Sequence, residues 1–111
     1  MLDSSSMSPI FRLTTRQDDD RVVVVAHGEL DVATVPRLEQ AVQALRPEAR
    51  AIVLDLREVT FMDSTGVRLL LQLDAQARSD GFSFAILDCE GPVRRVLALT
   101  GIADRIPHAE P

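Results

Sequence analysis

The chain of 111 residues is long enough to bury a core and leaves no room for a second domain. Hydrophobic residues make up 46% of it, yet no stretch of about 18 consecutive apolar residues occurs, so we expect no membrane-spanning helix and no membrane partner. The net charge is −5 and the twelve cations, all arginine, do not cluster, which argues against nucleic acid as a partner.

The two ends of the chain predict tails on either side of one domain. Residues 1–9 are polar and rich in serine, so we expect a flexible tail there, a domain over residues 10–108 and a short tail over residues 109–111. The N-terminal sequence lacks the basic and apolar blocks of a secretory signal, and the lone Cys89 cannot form an internal disulfide. Both features favour a cytoplasmic location.

The first half of the chain predicts two strands and then a helix. Apolar and polar residues alternate over residues 10–15 as in an edge strand, and the aspartates at 18–20 mark a turn. Four valines within residues 21–26 favour a central strand that is covered on both faces. Thr34 and Pro36 then open a segment whose apolar residues have helical spacing.

The second half continues the alternation of strands and helices. Residues 51–56 predict a buried strand, and a loop over residues 57–63 follows it. Later elements are a buried strand over residues 82–87, a short helix over residues 93–99 and an edge strand over residues 105–107. With a helix before residue 82, the order is β-β-α-β-α-β-α-β, which predicts an α/β domain with a mixed, mostly parallel sheet and helices packed against it.

That helix, over residues 64–79, is the longest predicted element. Its core-facing side consists of Val67, Leu70, Leu71 and Ala77. Leu69 and Leu73 stand one turn apart outside this stripe. Two interpretations are open: the pair forms a second apolar line that faces a partner, or the helix is buried over a wide arc.

Ser64 lies where this helix begins, within the segment Phe-Met-Asp-Ser-Thr-Gly-Val at residues 61–67. The N-terminus of a helix carries unpaired backbone N–H groups and the positive end of the helix dipole, which both favour an anionic group. The position therefore predicts a phosphorylatable serine. Asp63 is predicted as the N-cap of the helix, as a contact for a kinase, or as both. Gly66 either admits a kinase closely or packs beneath a strand.

Four segments together resemble the STAS domain of bacterial anti-sigma factor antagonists, in their order and spacing as well as in their residues. They are Gly28-Glu29-Leu30-Asp31, the strand end Leu54-Asp55-Leu56, the loop Phe61-Met62-Asp63-Ser64-Thr65-Gly66, and Val93-Arg94-Arg95-Val96-Leu97 with Thr100-Gly101. The resemblance covers almost all of residues 10–107. One departure is that only residues 109–111 follow the last predicted strand, where family members commonly carry a further helix.

The resemblance implies a regulatory role without catalysis or a cofactor. Unphosphorylated members of the family bind an anti-sigma factor that is also an ATP-dependent serine kinase, and they thereby release a sigma factor. The kinase phosphorylates the serine that follows the aspartate, here Ser64 with Thr65 as the second choice, and a serine phosphatase reverses the loss of binding. Together with the helix pattern, this predicts partner contacts at Asp31, Asp63, Ser64, Thr65, Gly66, Leu69 and Leu73.

Other functions fit the sequence less well. A serine hydrolase would need His27 as a base, and the glycine pattern around its nucleophile is absent. No phosphate-binding glycine motif occurs, and a metal site formed by Asp31, Asp55 and Asp63 lacks the spacing of a calcium loop. The serious alternative is a STAS module that acts as a scaffold or a transporter-associated subunit without a phosphorylation cycle.

Overall fold

A computed structural model describes residues 11–87 and 90–111. Within them, the strands are β1 (Phe11–Asp18), β2 (Arg21–Leu30), β3 (Ala51–Met62) and β4 (Ser83–Leu87), and the helices are α1 (Val35–Leu45), α2 (Ser64–Asp80), α3 (Pro92–Leu99) and α4 (Ile102–Arg105). The predicted tail over residues 1–9, the first residue of the predicted strand at Ile10, and Cys89 lie outside the described residues.

The strands form one mixed sheet in the order β1-β2-β3-β4. β1 pairs with β2 in antiparallel fashion, whereas the β2–β3 and β3–β4 pairs are parallel. A tight turn at Asp19 and Asp20 joins the antiparallel pair, and Asp19 adopts a positive φ of 55°, a conformation that aspartate tolerates better than most residues. The α/β class and the mostly parallel sheet are as predicted.

The main core lies between the sheet and the helices. Side chains from α1, α2, α3 and α4 share one cluster with alternate residues of the strands, among them Val24, Leu54 and Ile86. The residues that alternate with these, Val23 and Val53, belong to a second, smaller cluster on the other face. In the described part of the chain, no helix is both long and apolar enough to cross a bilayer.

Both parallel central strands are longer than predicted. β2 continues past Ala26 to Leu30, and β3 continues through most of the predicted loop over residues 57–63. Two register shifts interrupt their pairing, between Val25 and His27 and between Gly28 and Glu29, so β3 carries extra residues. These bulges break the apolar alternation, which explains why the sequence pattern indicated a loop there.

Asp55 stabilises the first of these irregularities. Its carboxylate accepts the backbone N–H of Arg57 at 3.0 Å and two hydrogen bonds from the Arg57 guanidinium at 3.0 and 2.9 Å. Burial raises the pKa of Asp55, but the hydrogen bonds and charge of Arg57 outweigh it, and the pKa lies below its ordinary value. The carboxylate is therefore held charged where β3 turns towards its end.

The C-terminal region departs from the predicted edge strand over residues 105–107. Arg105 ends α4, and only an isolated bridge joins Ile86 to His108. Ile86 donates to the carbonyl of Pro107, and Ala109 donates to the carbonyl of Ile86 at 2.8 Å. Proline has no N–H for a longer ladder, so the pairing stays local. The residues predicted as a C-terminal tail begin with this hydrogen-bonded alanine.

Candidate functional site

The candidate site lies where β2 and β3 end side by side. Leu30 pairs with Met62 at the end of the parallel ladder, and the backbone N–H of Asp63 donates to the carbonyl of Leu30 at 3.2 Å. Asp31 follows one strand directly and Asp63 follows the other. The loops that begin at Asp31 and at Asp63 therefore share one edge of the sheet.

Asp63 caps α2, which is one of its two predicted roles, and the other role, a contact for a kinase, stays a prediction. Its backbone is extended, and its carboxylate accepts the backbone N–H of Thr65 at 2.9 Å. The Thr65 hydroxyl donates to the same oxygen. The hydrogen bond from the Thr65 side chain, supported by backbone N–H groups, holds the pKa of Asp63 below its ordinary value. A negative charge is thus fixed beside Ser64.

Ser64 is the first residue of α2 and is exposed. Among the residues that the structure describes, its hydroxyl takes part in no hydrogen bond. Thr65, the second candidate acceptor, is half-buried and its hydroxyl is engaged with Asp63. Of the two adjacent hydroxyls, Ser64 presents the one that another protein can reach and use.

Gly66 is buried and packs against the end of β3. A Cβ atom at this position would lie 2.7 Å from Cγ of Met62 and 3.4 Å from Cβ of Leu30. The missing side chain therefore allows α2 to approach the sheet closely, which is the packing role of the two that were open. The predicted contact between Gly66 and a partner is wrong, because the residue faces the core.

Leu69 and Leu73 are core residues as well, and their predicted exposure to a partner is wrong. They are 2% and 1% exposed, whereas Val67 and Leu71, which were predicted to face the core, are only half-buried. α2 packs against β3 and β4 and also against α1 and α4. Neighbours on several sides bury a wide arc of the helix, as the alternative interpretation had it.

Asp31 organises the turn between β2 and α1. Its carboxylate accepts backbone N–H groups from Ala33 at 3.0 Å and from Thr34 at 3.2 Å. The residue is half-exposed, so its outer surface still borders the candidate site. Its carboxylate therefore stabilises the turn, and a contact with a partner would be made in addition to these hydrogen bonds.

Two apolar side chains that the sequence pattern did not single out are exposed in these same segments. Val32, next to Asp31, is 72% exposed, and Phe61, two residues before Asp63, is 47% exposed. Phe61 pairs with Glu29 near the end of the β2–β3 ladder. In the sequence, each of the two is only an apolar residue next to a polar one. Their shared surface can be recognised only in the fold, where the two segments meet.

The groups considered for other chemistries do not assemble here. His27 lies in β2 opposite Glu58, and its ring contacts the Arg12 guanidinium at 3.5 Å. Asp55 is bound to Arg57 within the sheet, as described above. Within residues 11–87 and 90–111, no group of three or more histidine, cysteine and acidic residues is arranged to hold a metal ion.

Comparisons with known proteins point to one family. A family model described as "Mlab, STAS domain" matches residues 13–107. An anti-sigma-B factor antagonist from Staphylococcus aureus is 36% identical over 92 residues, which cover 82% of this chain and 84% of the relative.

Solved structures give the same picture. The crystal structure of an anti-sigma factor antagonist from Mycobacterium paratuberculosis is 30% identical, with a TM-score of 0.74, and the match covers 91% of this chain and 86% of that one. The anti-sigma factor antagonist SpoIIAA in its unphosphorylated form is 25% identical, with a TM-score of 0.71 and coverage of 90% and 88%.

Proposed function

This chain belongs to the STAS-domain family of anti-sigma factor antagonists, and we propose that it works as a phosphorylation-controlled antagonist. In its unphosphorylated form it binds an anti-sigma factor that has serine kinase activity, and a sigma factor is released. Phosphorylation of Ser64 ends this binding, and a serine phosphatase restores it. The role is regulatory, takes place in the cytoplasm and requires no cofactor in the domain itself.

The observation that carries this proposal is the state of the Ser64 hydroxyl. It is exposed, free of hydrogen bonds within the described residues and located at the first residue of a long helix. In the phosphoryl transfer, its oxygen forms a bond to the γ-phosphorus of ATP while the bond from that phosphorus to the leaving oxygen of ADP breaks. The hydroxyl proton passes to a base of the kinase or to water.

The docking surface is formed by Val32, Phe61 and Ser64. The two apolar side chains are exposed in the segments that meet at this edge of the sheet, and they offer the kind of contact that dominates protein interfaces. Asp31 and Asp63 border this surface with charges that are fixed by their own hydrogen bonds. The surface therefore combines an apolar contact with an acidic margin.

A phosphate on Ser64 would change this surface more than it would change the fold. It adds about −1.5 to −2 charges beside the charged Asp63, so an acidic partner is repelled. In a closely fitted interface, the phosphate also separates polar groups from their hydrogen-bond partners. The start of α2 accommodates the added charge, because its N–H groups and dipole favour an anion. Each loss of about 1.4 kcal/mol weakens binding tenfold, so a few kcal/mol would empty the complex.

Phosphotransfer with the chain's own anti-sigma factor tests the proposal. Incubation with that kinase and ATP, followed by peptide mass spectrometry, should place one phosphate on Ser64 in the wild type and in Thr65→Ala, and none in Ser64→Ala. Phosphate on Thr65 alone would contradict the assignment. Tight binding without any modification would favour the scaffold alternative instead.

A further inference from the structure

Arg68 shares the solvent-facing side of α2 with Ser64. Exposed residues recur about one turn apart along one side of this helix, at Ser64, Arg68, Gln72, Ala75 and Ser79, and Arg78 and Asp80 are also exposed near its end. Residues at positions i and i+4 of a helix have Cβ atoms about 5–6 Å apart, which is within reach of an arginine side chain. Ser64 and Arg68 are therefore surface neighbours.

Arg68 also differs from other arginines in its surroundings. Arg78, on the same helix, is bound to the buried carboxylate of Asp74, and Arg46 is bound to Asp80. Within the described ranges, no hydrogen bond, ion pair or ring contact involves the Arg68 guanidinium. A cation with five hydrogen-bond donors is thus left available one turn beyond the candidate acceptor.

We propose that Arg68 is the internal receptor for the phosphate on Ser64. The guanidinium would take the phosphate oxygens in a charge-assisted, bidentate hydrogen bond along the outer face of α2. This inference rests on the proposed function only in its choice of Ser64 as the modified residue. It adds the residue of this chain that receives the new charge.

The order of the two charges along the helix supports the pair. An anion placed one turn before a cation is the favourable arrangement, because it also agrees with the helix dipole. Two of the carboxylates at this edge are already engaged, since Asp63 accepts from Thr65 and Asp31 accepts from Ala33 and Thr34. The phosphate therefore finds its free cation on its own helix.

The pair has a consequence for the switch. Phosphorylation removes a positive charge from the exposed surface, by engaging Arg68, at the same time as it adds a negative one at Ser64. The first turns of α2 become more firmly held, because a new side-chain link spans residues 64–68. The phosphorylated form should accordingly be the more stable of the two, and part of that gain should depend on Arg68.

The test uses full-length protein with phosphoserine incorporated genetically at position 64, so that no kinase is required. Three versions are compared by phosphorus NMR titration: the wild type, Arg68→Gln and Arg50→Gln. Arg50 is an exposed arginine just before β3, at the opposite end of that strand from Ser64, and its removal changes the net charge equally. Glu29, Asp31 and Asp63, the acidic groups in the adjoining segments, are common to all three.

The phosphate should titrate at a lower pH in the wild type than in Arg68→Gln, by about 0.3 pH unit, while Arg50→Gln should match the wild type. Phosphorylation should also raise the unfolding temperature more in the wild type than in Arg68→Gln. Equal titration midpoints in the wild type and Arg68→Gln would overturn the proposal. A kinase that ignores Ser64 would refute the proposed function and leave this result standing.

Discussion

The contact between Gly66 and Met62 provides the sharpest test of how α2 is seated on the sheet. Replacing Gly66 with alanine puts a methyl group 2.7 Å from Cγ of Met62, well inside van der Waals contact. Met62 is 4% exposed, so its inner carbons have little free space to move into. The substitution therefore overpacks the core at the point where the candidate site begins.

Two effects of opposite sign determine the result. Overpacking of a filled core costs about 1–3 kcal/mol, whereas replacing glycine with alanine inside a helix gains about 1 kcal/mol. The net expectation for Gly66→Ala is a loss of about 1 kcal/mol, which for a domain of this size lowers the unfolding temperature by about 4 °C. Helix preference alone would predict the opposite sign, so the direction of the change is informative.

A second background isolates the clash. In Met62→Ala the offending Cγ atom is absent, and the nearest remaining atom is Cβ of Leu30 at 3.4 Å. Adding Gly66→Ala there should be neutral or stabilising by up to about 1 kcal/mol. The free energies come from urea unfolding followed by circular dichroism, since the chain has no tryptophan or tyrosine. An equal effect of Gly66→Ala in both backgrounds would show that the contact with Met62 does not determine the stability change.

Three further predictions concern the cap, the buried charge and the surface. Asp63→Ala should lower the free energy of unfolding in urea by about 1 kcal/mol because the N-cap is lost, whereas Asp63→Asn should keep most of the wild-type stability; equal losses in the two variants would contradict a capping role. Because the folded-state pKa of Asp55 is lowered, its stabilisation is present above the unfolded pKa of about 3.9 and is lost as the pH falls through the folded value. In urea unfolding at a series of acidic pH values, the free energy of unfolding should therefore depend less on pH in Arg57→Gln than in the wild type. Leu73→Ala should cost about 2–5 kcal/mol, whereas Phe61→Ala should change stability by about 0.5 kcal/mol or less and weaken partner binding; the reverse pattern would refute the proposed surface.

Local chemistry explains which parts of the site could be predicted. The start of α2 follows from its cap, because an aspartate that accepts the N–H of the second residue after it is a signal contained in three adjacent residues. The parallel strands were predictable from continuous β-branched runs such as the four valines of β2. In both cases the information lies within one short segment.

Burial was harder to predict, because it depends on neighbours that are distant in sequence. Leu69 and Leu73 fit the pattern of an exposed line until α1 and α4 are known to flank α2. The extra length of β3 depends on a hydrogen bond from Arg57 to Asp55 and on register shifts, neither of which has a simple periodicity. Val32 and Phe61 were overlooked for the same reason, since their segments meet only in the folded sheet.

The most direct test of the switch is the affinity of two defined forms for the same anti-sigma factor. Isothermal titration calorimetry would compare the unmodified domain with the domain that carries phosphoserine at position 64. We expect the phosphorylated form to bind at least about 100-fold more weakly, which corresponds to about 2.8 kcal/mol. Equal affinities of the two forms would contradict control of binding through Ser64.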